Sequence, residues 1–84
     1  MPAWISLRWH HPTLRRYYEV RLQPDLWQEW CLTKAWGSLA SAQGAVKHIH
    51  CASYQEGLAH LDTIAKTRER RGYRLLSSPI KEQE

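Results

Sequence analysis

The sequence predicts an α+β domain in which a small antiparallel sheet of four or five strands packs against one C-terminal helix. Three patterns in the 84 residues lead to this prediction. Apolar and polar residues alternate along several early segments, as they do in strands with one buried face. A capping signal followed by apolar residues at three- and four-residue intervals then predicts a helix. With a single helix to cover it, the sheet should keep one face open.

Four strands are predicted before the helix. Ile5, Leu7 and Trp9 alternate with polar residues in the first, and the second alternates in the same way. Pro24 and Asp25 predict a turn, because proline restricts φ and aspartate can accept hydrogen bonds from nearby amides. Uneven alternation in the third strand predicts a bulge or a two-sided environment. The predicted ranges are 5–10, 18–23, 27–36 and 45–52.

The helix begins at a capping box formed by Ser53 and Glu56 and ends at Gly72, which supplies a left-handed residue. A short fifth strand is predicted within 73–76. We therefore expect a single domain over 1–76 and a polar, disordered tail over 77–84. The helix residues expected to face the sheet are Tyr54, Leu58, Leu61, Ile64, Ala65 and Arg68.

Composition limits the class of protein. The formal net charge of +4 favours an anionic partner, although a charge of this size also serves to keep a small domain soluble. Cys31 and Cys51 fall inside predicted strands and no signal-like apolar segment opens the chain, so we expect two reduced, buried thiols and a cytoplasmic protein. No apolar run is long enough to cross a membrane.

No catalytic or metal centre is predicted. The eight carboxylates are dispersed, and the glycines lack the spacing of a phosphate-binding loop. His48 and His50 share a strand face, but Cys51 points the other way and no second pair of soft ligands accompanies them. We therefore expect a protein that is not an enzyme and holds no metal or cofactor.

Basic residues are more informative. Arg15 and Arg16 precede the second strand, while Lys34 and Lys47 flank a loop of small residues after Trp36. These charges have no helix dipole to complement, which favours a role in binding an anion. A second cluster lies at the helix end, where cations complement the dipole, and we assign it that structural role first. Its members are Lys66, Arg68, Arg70, Arg71 and Arg74.

Three segments of the chain together resemble the WGR domain. They are RRYYEVRLQPDL (15–26), WCLTKAWGS (30–38) and the helix end RERRGYRL (68–75). The family occurs in eukaryotic poly(ADP-ribose) polymerases and as short stand-alone or fused modules in bacteria, and this chain looks like a stand-alone bacterial-type module. The resemblance implies a small sheet against one helix without a catalytic centre. In the polymerases the domain contacts DNA ends and neighbouring domains.

The tripeptide that names the family is incomplete in this chain. Trp36 and Gly37 match its tryptophan and glycine, but Ser38 stands where the family has arginine. Lysines near the loop can replace the charge of that arginine but not its bidentate geometry. Further departures are Leu39, Ala40 and the order of Gln43 and Gly44.

Two functions remain open at this point. The first is a non-catalytic nucleic-acid-binding module, with DNA as the expected partner, that uses the Trp36–Gly37 loop and its basic rim. The alternative is a protein-interaction or accessory module that uses the same loop and the open sheet face. The missing arginine favours the alternative, and the basic surplus favours the first. The predicted nucleic-acid-binding residues are Arg15, Arg16, Lys34, Trp36, Gly37, Ser38, Gln43 and Lys47.

Overall fold

In the part of the chain that the structure describes, an antiparallel sheet packs against one helix, which confirms the predicted α+β class. The computed structural model describes residues 4–41, 44–76 and 80–81. The strands are β1 (Trp4–His11), β2 (Arg16–Pro24), β3 (Trp30–Ser38), β4 (Gly44–His50), β5 (Arg74–Leu75) and β6 (Ile80–Lys81), and the helix is α1 (Tyr54–Arg70).

The sheet has the strand order β4-β3-β2-β1-β5, and each neighbouring pair is antiparallel. The two-residue strand β6 also pairs with β1, with Trp4 opposite Lys81 and Ile5 opposite Ile80. Ile80 and Lys81 lie within the segment predicted to be a disordered tail. Their backbone instead pairs with β1. Residues 77–79 and 82–84 lie outside the described part of the chain, and the domain boundary at 76 stays a prediction.

The face of the sheet that meets α1 carries the core. Trp9 is its largest fully buried side chain, and it lies on β1, where buried and partly buried residues alternate regularly from Trp4 to His10. Cross-strand pairs such as Leu7 with Val20 and Leu22 with Leu32 place neighbouring strands in the register that buries their apolar residues together. Among the described residues, the buried hydrophobic ones are Ile5, Leu7, Trp9, Val20, Leu22, Leu32, Cys51 and Leu61.

The third strand begins later than predicted. Asp25 Oδ1 accepts hydrogen bonds from the backbone amides of Trp27 (2.8 Å) and Glu29 (3.0 Å), so the chain turns over these residues before β3 starts at Trp30. Trp27 lies on this turn with 76% of its surface exposed. The predicted start at Trp27 is wrong because the side chain of Asp25 extends the turn.

Both ends of the helix are built as predicted. Ser53 Oγ accepts from the amide of Glu56 at 3.1 Å, while Glu56 Oε1 accepts from the amide of Ala52 at 3.3 Å. The glutamate therefore accepts from the amide of the residue before the cap and not from the amide of Ser53. At the other end Gly72 has φ of 87°, the left-handed conformation that glycine adopts at little cost.

The helix contacts the sheet through a glycine that the sequence pattern did not single out. A Cβ atom added to Gly57 would lie 2.5 Å from Leu22 Cδ1, so the absence of a side chain lets the first turns of α1 approach the sheet closely. With Gly57 facing the sheet, α1 is rotated so that Leu58, which was predicted to face the sheet, is 36% exposed. Leu61 is buried, and Ile64 and Ala65 pack against the core as predicted.

The two thiols differ in environment. Cys51 is buried in the core, and burial raises its pKa above the ordinary value of 9.0, with smaller contributions from Glu56 and Cys31. Cys31 is only partly buried, because it lies on the open face opposite His50. Both thiols are free. Neither thiol forms a disulfide in the structure, as predicted, whereas the predicted burial holds for Cys51 alone.

We expect Gly57→Ala to destabilise the fold, although alanine favours helices. Overpacking against fully buried Leu22 costs about 1–3 kcal/mol, whereas alanine returns only about 0.5–1 kcal/mol of helix propensity. Chemical denaturation of Gly57→Ala, Leu22→Ala and the double variant measures this coupling. The double variant should lose less than the sum of the single losses. A Gly57→Ala protein as stable as the unmodified one would contradict the close approach.

Cys51 should react slowly with a thiol reagent, because the reactive species is the thiolate and both burial and a raised pKa suppress it. Labelling of a Cys31→Ser variant isolates this thiol, and labelling in denaturant supplies the unprotected rate. We expect native labelling to be much slower than labelling in denaturant at neutral pH, and its rate to keep rising with pH above about pH 9, where an ordinary thiol is already mostly ionised. Equal native and denatured rates would show that Cys51 lies outside the core.

Candidate nucleic-acid interface

A groove of about 910 Å³ lies between the last turn of α1 and the adjacent ends of β2, β3 and β4. It forms where the helix-facing side of the sheet continues beyond the residues that bury the core. Its aromatic residues are Tyr17, Tyr18, Trp36 and Tyr73, and its basic residues are Arg16, Lys34, Arg68 and Arg71.

The aromatic residues connect the groove to the core. Buried Trp9 meets Tyr18 edge to face, with ring centroids 6.3 Å apart and an interplanar angle of 68°. Tyr18 in turn stacks with Trp36 at 5.9 Å and 15°. Trp36 keeps 36% of its surface exposed. The indole is therefore supported from one side by the core and open to the groove on the other.

The helix contributes a cation to the same aromatic group. The guanidinium carbon of Arg68 lies 4.3 Å from the centroid of the Tyr18 ring and 4.9 Å from that of Tyr73. Burial raises the pKa of Tyr18, and the positive charge of Arg68 offsets only part of this effect. The phenol therefore stays protonated at neutral pH and can donate a hydrogen bond.

No carboxylate lines the groove among the described residues. The ion pairs of Lys and Arg in the same part of the chain lie elsewhere: Glu19 bridges Arg8 and Arg21, and Asp62 pairs with Lys66. The groove therefore concentrates positive charge that no described side chain neutralises through an ion pair. Such a concave basic surface attracts anions more strongly than scattered surface charges do.

Five of the eight predicted site residues come together in this groove. They are Arg16, Lys34, Trp36, Gly37 and Ser38. The strand register explains this, because Arg16 pairs with Ser38 and Tyr18 with Trp36 across β2 and β3. Ser38 Oγ accepts a hydrogen bond from the amide of Ala40 at 3.0 Å and so shapes the loop that follows the strand.

The other predicted residues lie outside the groove or outside the described chain. Arg15 adopts a left-handed conformation (φ 54°), and its carbonyl accepts from the amide of Leu39 at 2.8 Å, so its backbone joins two loops. Lys47 is exposed beside Lys34, its cross-strand partner, and extends the basic rim without lining the groove. Gln43 lies outside the described residues.

Sequence reasoning assigned no site role to several groove residues. Arg68 and Arg71 were attributed to the helix dipole, and Tyr18 and Tyr73 were not among the predicted site residues. The spacing of the arginines, three residues apart just before Gly72, was the available signal, because it places both on one side of the last turn. Which side they face depends on the rotation of α1, which Gly57 sets through its contact with Leu22.

The glycines at the end of the groove accommodate Tyr17. Tyr17 pairs with Gly37 across β2 and β3, and Gly37 pairs with Gly44 across β3 and β4. A Cβ atom on Gly44 would lie 3.0 Å from both the Tyr17 hydroxyl oxygen and the Trp36 carbonyl oxygen. Small residues here let the tyrosine cross the strand ends and bring its hydroxyl to the groove.

The open face of the sheet carries polar side-chain contacts. Thr33 Oγ1 and His48 Nδ1 are 3.0 Å apart, and His50 Nε2 contacts Glu29 Oε1. Among residues 4–41 and 44–76, no group of three His, Cys, Asp or Glu side chains is arranged to hold a metal ion. Within the described residues, the helix is also too short and too polar to span a membrane.

A model of the WGR domain matches residues 1–79, and the chain therefore belongs to the WGR domain family. The match covers the groove residues, strands β1 to β5 and the helix. No curated protein and no solved structure matches the chain.

Proposed function

We propose that this protein is a non-catalytic module that binds nucleic acid, with DNA as the expected ligand, through the groove beside Trp36. The observation that carries the proposal is the combination of four basic residues and an exposed indole in one groove without a lining carboxylate. WGR domains are generally nucleic-acid-binding modules, which supports the same partner.

Charge supports a polyanionic ligand. Lys34 stands directly opposite Lys47, a like-charged cross-strand pair that destabilises the sheet slightly when no anion lies nearby. Phosphates along a nucleic-acid strand would relieve this repulsion and that between the groove arginines. Each phosphate contact also releases condensed counterions, so affinity should fall steeply with salt.

The aromatic residues support a ligand with planar or sugar surfaces. Trp36 rests against Tyr18, which holds the indole in one orientation before any ligand arrives. A preoriented ring loses little conformational freedom when a base or sugar stacks on it. Stacking is tolerant of sequence because every base has an aromatic face. We therefore propose binding without strong base preference.

The composition of the groove supports binding without catalysis. Its hydroxyl groups come from serines and tyrosines, and no histidine, cysteine or carboxylate lines it among the described residues to act as a general base. The proposed role is to hold a strand, which is consistent with the predicted cytoplasmic location and absence of a cofactor.

Two tryptophans allow a matched test. Trp36→Ala should fold, as circular dichroism can check, and should weaken oligonucleotide binding by about 1–3 kcal/mol in fluorescence anisotropy at low salt. Trp27→Ala, which removes the same side chain from the turn before β3, should bind like the unmodified protein. If the folded, unmodified protein binds neither single-stranded nor duplex DNA or RNA at low salt, the proposal fails. The protein-interaction alternative on the same loop and the open sheet face would then take its place.

A further inference from the structure

The guanidinium of Arg68 lies over two aromatic rings, those of Tyr18 and Tyr73, which form a clamp on it. Its side chain forms no hydrogen bond or ion pair with another residue in the described part of the chain, and its Nε is shielded from solvent. Stacking of this kind holds the planar group in place without using its hydrogen-bonding capacity. Arg68 therefore offers a fixed guanidinium to a ligand in the groove.

Gly72 makes this clamp possible. Its left-handed conformation (φ 87°) reverses the chain after α1 and brings Tyr73 back against Arg68. A side chain at this position would also meet His11, because a Cβ atom on Gly72 would lie 3.1 Å from His11 Nε2. The helix end, the turn and the tyrosine thus form one unit around the guanidinium.

Arg71 adds a second cation to the same side of the helix end. It lies three residues after Arg68 and lines the same groove. The helix dipole favours cations in the last turn but does not determine which way they face. Arg70 in the same turn instead donates to Thr67 Oγ1 at 3.3 Å and lies beside Lys66 and Glu69 on another surface. Two of three neighbouring arginines therefore line the groove.

The carbonyl groups at the helix end do not oppose an anion at this position. The amide of Arg71 donates to the carbonyls of Thr67 (3.1 Å) and Arg68 (3.2 Å), and the amides of Gly72 and Tyr73 donate to Glu69 and Arg68. These bonds satisfy three of the four carbonyls that a helix normally leaves free, those of Thr67, Arg68 and Glu69. The guanidinium charges then dominate the local field.

From this geometry we propose that Arg68 and Arg71 form a phosphate subsite that binds a backbone phosphodiester of the nucleic acid, an inference that rests on the proposed function. Arg68 supplies the fixed, fork-shaped donor that suits two phosphate oxygens, and exposed Arg71 adds charge. Because Arg68 and Trp36 both contact the Tyr18 ring, the phosphate lies next to the stacked base or sugar. The helix thereby supplies the guanidinium groups that the loop after Trp36 lacks.

The test compares Arg68→Lys, Arg71→Ala and the control Arg70→Ala on single-stranded DNA. Arg68→Lys keeps the charge but loses the fork, and we expect affinity to fall about tenfold or more with little change in the salt slope. Arg71→Ala should weaken binding and reduce the slope of log K against log salt by about 0.7, the value for one phosphate contact on a single strand. Arg70→Ala should bind like the unmodified protein.

An oligonucleotide with uncharged methylphosphonate linkages separates phosphate contacts from stacking. Arg68→Lys and Arg71→Ala should bind this probe as well as the unmodified protein does, whereas Trp36→Ala should still bind it less well. The subsite is overturned, with the proposed function intact, if Trp36→Ala weakens binding to ordinary DNA while both helix variants bind normally. Equal losses on charged and uncharged probes also overturn it. Failure of the unmodified protein to bind any oligonucleotide overturns both proposals.

Discussion

The contact between Gly57 and Leu22 determines how the helix lies on the sheet. Because Gly57 has no side chain, α1 approaches the fully buried Leu22 at a distance that even a methyl group would prevent. Because α1 is one continuous helix, fixing its first turns also fixes the rotation of its last turn. That rotation directs Arg68 to Tyr18 and leaves Leu58 at the side. The groove therefore depends on packing several turns away.

The groove is the part of the core-facing surface that one short helix leaves uncovered. A domain of this size has few large side chains to bury and a single helix to bury them with. Aromatic contacts run from buried Trp9 through partly buried Tyr18 to exposed Trp36 without a break. Trp36 is consequently both a packing residue and the exposed ring of the proposed binding surface. Its orientation is maintained by the same contacts that stabilise the fold.

Sequence patterns predicted the local elements well because their causes are local. The strand alternation around Leu7 and Val20, the Ser53 cap and the Gly72 stop each depend on a few neighbouring residues, and all three match the structure. The start of β3 was wrong because the Asp25 side chain extends the turn to Glu29. Apolar spacing also favoured Leu58 over Gly57, since a glycine carries no hydrophobic signal.

Part of the candidate site was also predicted, because that part depends on local features of the sequence. Arg16, Lys34 and Trp36 come together because strand register follows from the hairpins, which the sequence indicates. Arg68 and Arg71 join them through the rotation of the helix, a tertiary property with no signature in the residues nearby. Basic residues at a helix end are ordinarily explained by the dipole, so their direction had to come from the structure.

The most direct test of the account is the location of a bound strand on the protein. The five tryptophans give indole N–H signals in a nitrogen-15 NMR spectrum, and they are distributed from the groove to the far turn. On titration with single-stranded DNA, the account predicts that the Trp36 indole and the Arg68 and Arg71 amides shift, while the Trp27 indole does not. Shifts confined to Trp27 or to open-face residues such as Thr33 and His48, with Trp36 unchanged, would contradict it.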